Sequence, residues 1–225
     1  MIQGIFVTGT GTNIGKTAVS AAIMHRYRPV APLRYWKPVQ TGSPEDDDTR
    51  TVHRLGACSI EEIHPEGIRL PRPLSPHLSA RLCGVRIELA SILAAAANAG
   101  ASRACVVEGA GGLLVPLNED TLIADLILAL KLPAVVVALS TLGTINHTLL
   151  TLEALRARSI PIAGVIMNGE LNPENRRAIE HYGSVPVLGE MPPLAPLTAE
   201  VLAHWAFTEL DPEGLLDPLF KEPRP

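Results

Sequence analysis

Six short apolar runs punctuate the chain: GIFVTG, LRYWKPV, RACVVEG, AVVVALS, IAGVIMN and VPVLGE. Within each run the apolar residues are continuous rather than alternating, the pattern of strands buried on both faces in a parallel sheet. The longer stretches between them have helical spacing. AVSAAIMHRY follows the first run, IELASILAAAANAG ends in Gly100 placed as a helix C-cap, and TINHTLLTLEALRARS carries leucines on one face and basic residues in its last turn. The predicted fold class is α/β, a mostly parallel central sheet with helices on both faces. In such a sheet ligands collect beyond the carboxyl ends of the strands, so the chemistry is expected just after each run.

Composition narrows this picture. With 225 residues, 47% of them hydrophobic, the chain can bury one sizeable core. No repeat or linker divides it, so a single domain over 1–225 is expected, with the proline-rich 210–225 as a peripheral tail. Lys and Arg total 19 against 23 Asp and Glu, a net charge of −4, which leaves no basic field for nucleic acid or an anionic membrane. The most apolar region, LIADLILALKLPAVVVAL, is interrupted by Asp125, Lys131 and Pro133 and does not read as a membrane span. Cys58, Cys83 and Cys105 lack metal-type spacing, and their odd number argues against a disulfide framework. A cytoplasmic protein with reduced thiols and small-molecule partners is expected.

The first run leads into GTGTNIGKT, residues 9–17, and then directly into a helix. Backbone N–H groups at such a helix start, reached through glycines, cradle phosphate. Lys16 would reach the β- and γ-phosphates and the Thr17 hydroxyl would ligate Mg2+. Gly9 lies six positions before Gly15, one more than in the usual phosphate loop, with Gly11 as a further flexible point. The sequence thus predicts a phosphate-loop NTPase-like nucleotide site.

Two places offer carboxylates for a metal. Asp46, Asp47 and Asp48 precede a helical stretch, where an acidic run also serves as an ordinary cap; Asp48 reads as the first helical residue. Glu108 ends a buried strand before the flexible turn of Gly109, Gly111 and Gly112, a placement costly to desolvate without a cation nearby. Lys37 ends the second run, where Pro38 stops the ladder. It reads either as a surface lysine laying its stem on apolar neighbours or as a second cation beside the triphosphate, suited to phosphoryl transfer onto an anionic acceptor.

The set FVTGTGTNIGKT, KPVQTG, the Asp48 helix start, LSPHLSA, VEGAGGLLVPL, LGTINHTLLTLEAL and VPVLGEMP, in this order and spacing, resembles the dethiobiotin synthetase family over residues 2 to 195. The resemblance implies ATP as co-substrate, Mg2+, and 7,8-diaminopelargonate and CO2 as substrates, joined through a carbamate and a carbamic–phosphoric anhydride. It assigns catalysis to Lys37 and Lys16, and the metal to Thr17, Asp48 and Glu108. Nucleotide contacts are expected from Asn13, Ile14, Gly15, Lys16, Thr17 and Ala18, and from Asp48, Glu108, Gly109, Ala110 and Gly111. Asn168 and Gly169 would read the base, with Pro192, Pro193 and Leu194 around the purine; an amide can pair with the donor–acceptor edge of adenine, although an asparagine here also reads as a turn cap. Thr41 and Gly112 would hold the diamine or carbamate, and the helix start Gly143, Thr144, Ile145 and Asn146 its carboxylate, contributed by the other subunit of a homodimer. Asn13 stands where some relatives carry an acid. The competing expectation is a ParA- or MinD-like regulatory ATPase, which often carries a second lysine early in its phosphate loop; here those positions are Thr10, Gly11 and Thr12.

Overall fold

The structure is a computed structural model and describes residues 2–99 and 103–221; the expected cap at Gly100 lies outside them. β1 (Gly4–Gly9) leads to α1 (Lys16–Tyr27), followed by β2 (Leu33–Trp36), β3 (Val39–Thr41) and α2 (Asp48–Leu55). Next come β4 (Ile68–Leu70), α3 (Pro76–Leu82), α4 (Leu89–Ala99), β5 (Ala104–Glu108) and α5 (Ile123–Leu130). The remainder is β6 (Ala134–Leu139), α6 (Thr144–Arg156), β7 (Ile162–Asn168), α7 (Pro173–Gly183), β8 (Val187–Met191), α8 (Ala199–Thr208) and the short α9 (Asp217–Phe220).

Among the described residues, one sheet takes the order β2-β5-β1-β6-β7-β8, with every pairing parallel. The six apolar runs are its six strands. Each strand side packs a different core: Ile5 and Val7 join α1 and α8, whereas Phe6, Val107 and Val136 join α4, α5 and α6. Burial on both faces is why the runs are continuous rather than alternating. The chain leaves β1 towards β2 on one side and later returns to β6 on the other, so the order reverses at β1 and opens a crevice beyond its carboxyl end.

Register fixes what meets in that crevice. Val7 pairs with Glu108 and Trp36 with Val107, so the residues leaving β1, β2 and β5 emerge side by side. Pro38 ends β2 as expected, and the chain resumes as β3, which pairs with β4 in a small separate parallel ladder that the apolar pattern did not reveal.

The tail expectation is corrected for residues 210–220. Leu210, Leu216 and Phe220 are buried in the α1–α8 core, and Phe220 packs on Tyr27 at 4.6 Å between ring centres. The Asp211 carboxylate accepts the backbone N–H groups of Leu215 and Leu216 and the Tyr27 hydroxyl, which ties the turn to α1. Proline and glycine here shape a packed turn rather than a loose end. Cys58 and Cys105 are buried, whereas Cys83 is exposed. No helix of the described residues is long and apolar enough to cross a membrane.

Candidate active site

The loop after β1 is held at both ends. Thr10 N–H donates to Val137 O at 3.0 Å, and Val19 N–H to Gly15 O at 3.0 Å, closing the first turn of α1. Gly15 caps that helix at φ 94, and a Cβ there would lie 2.1 Å from the Asn168 Nδ2, so only glycine fits. Asn168 in turn donates Nδ2–H to Ile14 O at 3.0 Å, which brings the end of β7 against the loop. Lys16 Nζ spans the loop and donates to Gly11 O at 2.8 Å. Its pKa falls to about 8, chiefly through burial and then through the nearby Lys37 ammonium, with Glu108 and Asp48 opposing.

Lys37 and Glu108 are fully inside this crevice. Lys37 Nζ reaches Asp48 Oδ2 at 2.6 Å, Glu108 Oε1 at 2.8 Å and Gly109 O at 2.9 Å, three acceptors for its three protons. Burial works against the Lys37 cation, but the two carboxylates outweigh it and hold its pKa above the ordinary lysine value. Asp48 is depressed in turn: burial opposes its charge, and Lys37, the Thr17 hydroxyl and Lys16 overcome it. The reading of Lys37 as a surface lysine is thereby excluded, since it is 3% exposed.

Thr17 Oγ1 lies 2.6 Å from Asp48 Oδ1 and 3.1 Å from Glu108 Oε1, so one hydroxyl and two carboxylates converge from α1, α2 and β5. Of the three aspartates, Asp48 is the one brought to this point. Asp47 caps α2 by accepting Arg50 N–H, and Gln40 fixes the turn through Thr41 O and Asp46 O while its Oε1 accepts Asp48 N–H. The far oxygen of Glu108 accepts Ser20 Oγ–H at 2.8 Å and Tyr35 O–H at 3.0 Å.

A cavity of about 360 Å³ opens here, lined by Asn13 to Ala18, Lys37, Thr41, Asp48, Glu108, Ala110 and Gly111. Gly111 turns the strand end back at φ 74. A second cavity of about 370 Å³ lies on the other side of the loop, between Gly9 to Thr12, Gly112 to Val115, and His147, Leu150 and Thr151 of α6. Thr12 lines both.

Other expected contacts lie outside the lining of these two cavities. Gly143 caps α6 at φ 93, but Gly143, Thr144, Ile145 and Asn146 line neither of these two cavities. Gly169 donates N–H to Met191 O at 2.9 Å, setting Asn168 beside the start of the 192–194 loop. Pro192, Pro193 and Leu194 do not line the phosphate cavity; Leu197 does, and nothing in the sequence pattern singled it out. Ser20, Tyr35 and Gln40 were missed as well. The signals existed: Ser20 is one turn beyond Thr17 on the same helical face, and Tyr35 lies two residues before Lys37, on the same side of an extended strand.

A family model described as an AAA domain matches residues 3–201. The ATP-dependent dethiobiotin synthetase BioD of Paramagnetospirillum magneticum is 52% identical over 202 residues, covering 90% of this chain and 94% of that protein. The chain belongs to the dethiobiotin synthetase family. The enzyme of the same name from Brucella melitensis biotype 2 is 50% identical over 204 residues, covering 91% and 92% of the two chains. As a family member the chain is an ATP-dependent ligase with a phosphate-loop domain.

Among solved structures, a ParA family ATPase from Chlorobium tepidum TLS superposes with a TM-score of 0.56 at 13% identity, covering 91% of this chain and 98% of that one. MinD from Aquifex aeolicus gives 0.53 at 13% identity over 100% and 99%. These likenesses are of fold alone. The regulatory-ATPase expectation drew on that shared sheet, and sequence identity near 50% places the chain with the synthetases instead.

Proposed function

We propose that the chain converts 7,8-diaminopelargonate, CO2 and ATP to dethiobiotin, ADP and phosphate with Mg2+, as a step of biotin biosynthesis. The observation that carries the reading is the buried Lys37 ammonium held against Asp48 and Glu108 beside a phosphate loop, in a chain about half identical to named dethiobiotin synthetases.

The donor set fits Mg2+. Thr17, Asp48 and Glu108 present only oxygen, the ligand type that this hard cation takes. Lys16 and Lys37 already balance Asp48 and Glu108, so a triphosphate brings negative charge that these side chains leave uncompensated. Mg2+ bound by those three residues would supply that compensation at the β- and γ-phosphates.

The residues of the chain then divide the work. The loop N–H groups and Lys16 hold the β- and γ-phosphates and oppose charge as the γ-phosphoryl group leaves ADP. The diamine enters from the second cavity, and one neutral amine takes up CO2, releasing a proton and forming a carbamate. Lys37 and Thr41 hold the carbamate so that one of its oxygens faces the γ-phosphorus, and the Lys37 charge opposes the negative charge that builds as the phosphoryl group transfers. Attack gives the carbamic–phosphoric anhydride. The neighbouring amine adds to its carbonyl carbon, expels phosphate and loses a proton as the ureido ring closes. Gly111 and Gly112 offer backbone donors between the two cavities. The α6 start at Gly143 to Asn146 serves the substrate carboxylate of a partner subunit in a cytoplasmic homodimer. Asn168, with Gly169 and the 192–194 loop, faces the base.

Incubation with Mg-ATP, bicarbonate and 7,8-diaminopelargonate should yield dethiobiotin by mass spectrometry only when all three are present. ATP hydrolysis indifferent to the diamine would instead favour a switch.

Two further outcomes are expected. Lys16, near pKa 8 in the free protein, gains an anionic partner when nucleotide binds, so its pKa rises. Binding at pH 9 should therefore take up a proton, and affinity should fall as pH climbs above 8. Calorimetry in two buffers of different ionisation enthalpy reads this directly; identical heats would separate Lys16 from the phosphates. Asn168→Ala should lower the preference for ATP over GTP by roughly 10-fold, the order of one or two hydrogen bonds. An unchanged ratio in competition binding would move base reading to the 192–194 loop.

A further inference from the structure

Glu108 is fully buried, and its two oxygens are divided between two sets of partners. Oε1 accepts from Thr17 and Lys37, which line the cavity, whereas Oε2 accepts Ser20 Oγ–H and Tyr35 O–H. We propose that Tyr35 and Ser20 are positioning residues that lock Glu108 with Oε1 towards the cation site and thereby set its affinity for a divalent metal. This rests on the metal-dependent ATP site proposed above.

The terminal torsion of a glutamate is broad and soft, so the backbone of β5 alone does not decide where each oxygen points. Two donors on one oxygen do decide it. They come from two different elements: Ser20 from α1, which also carries Thr17, and Tyr35 from β2, which leads into Lys37. Each element thus supplies one group to each oxygen, and a shift of either element moves both sides of Glu108 together. Neither hydroxyl lines the phosphate cavity and both residues are fully buried, so neither touches nucleotide or diamine. Burial, and then the Glu108 and Asp48 charges, raise the Tyr35 phenol well above its usual pKa, which keeps it a proton donor throughout the working range.

The general expectation for a hydrogen bond that orients a metal-binding carboxylate is a 10- to 100-fold effect on metal affinity or activity. Tyr35→Phe keeps the ring in its core, and Ser20→Ala removes one oxygen from a different element, so each controls for misfolding of the other. With Mn2+ titrated into the ATP complex and free Mn2+ followed by electron paramagnetic resonance, each variant should raise the Mn2+ dissociation constant about 10-fold. ATP affinity without divalent metal should stay within about twofold. A Mn2+ dissociation constant unchanged in both variants, whatever their thermal stability, overturns the proposal. The titration omits the diamine, so its result stands apart from whether dethiobiotin is the product.

Discussion

Lys37→Gln should retain Mg-ATP binding within a few-fold and lose dethiobiotin formation by at least about 10²-fold, the usual consequence of removing one charge-stabilising donor from a preorganised site. The phosphate loop and Lys16 do not depend on Lys37 for their own hydrogen bonds, since Lys16 is anchored on Gly11 O. What the amide lacks is the full positive charge, which in the proposed reaction the carbamate and the transferring phosphoryl group need at the same moment. The loss should appear in kcat more than in the KM for ATP. Normal turnover by this variant, measured as dethiobiotin released under saturating ATP, would remove Lys37 from the chemistry.

Glu108→Ala should be the most damaging single change to both stability and activity. It strips Lys37 of one of its two anionic partners and leaves the Ser20 and Tyr35 hydroxyls without their acceptor, all of them buried groups. Breaking a buried ion pair by removing one partner costs about 3–5 kcal/mol. The Asp48 carboxylate remains with Lys37, so the lower figure applies, and the melting temperature should fall by roughly 10 °C. Activity should be lost with it, because the oxygen proposed to face the metal has gone. Glu108→Gln separates the two effects: it keeps most of the volume and an acceptor for the two hydroxyls, so stability should recover further than turnover. A melting temperature unchanged in Glu108→Ala would contradict the buried network.

The sheet was legible because its strands are buried on both faces, which makes the apolar run itself the signal. The phosphate loop was legible because Gly15, Lys16 and Thr17 stand where a strand must become a helix. Asp48 could be separated from Asp46 and Asp47 by its position as first residue of α2, and the structure brings it to Thr17 and Lys37. Other features depend on contacts between segments far apart in the chain. Ser20 and Tyr35 meet Glu108 across sequence separations of 88 and 73 residues, and a serine in a helix or a tyrosine in a strand reads locally as ordinary packing. The β3–β4 ladder is three residues long on each side and has too little pattern to announce itself. The packed 210–220 turn was obscured for a related reason: its prolines and glycine dominate the composition, while the few residues that anchor it, Leu210, Asp211, Leu216 and Phe220, matter only because α1 presents Tyr27 opposite them.

The central claim is that the γ-phosphoryl group passes to a carbamate oxygen rather than to water. A short pulse of C18O2 in unlabelled water, with Mg-ATP and 7,8-diaminopelargonate, tests it through the oxygen content of the released phosphate. One 18O atom in the phosphate, with the second retained in the ureido carbonyl of dethiobiotin, is the predicted result. Phosphate free of 18O, formed before the label exchanges, would mean that the site hydrolyses ATP and does not activate the carbamate.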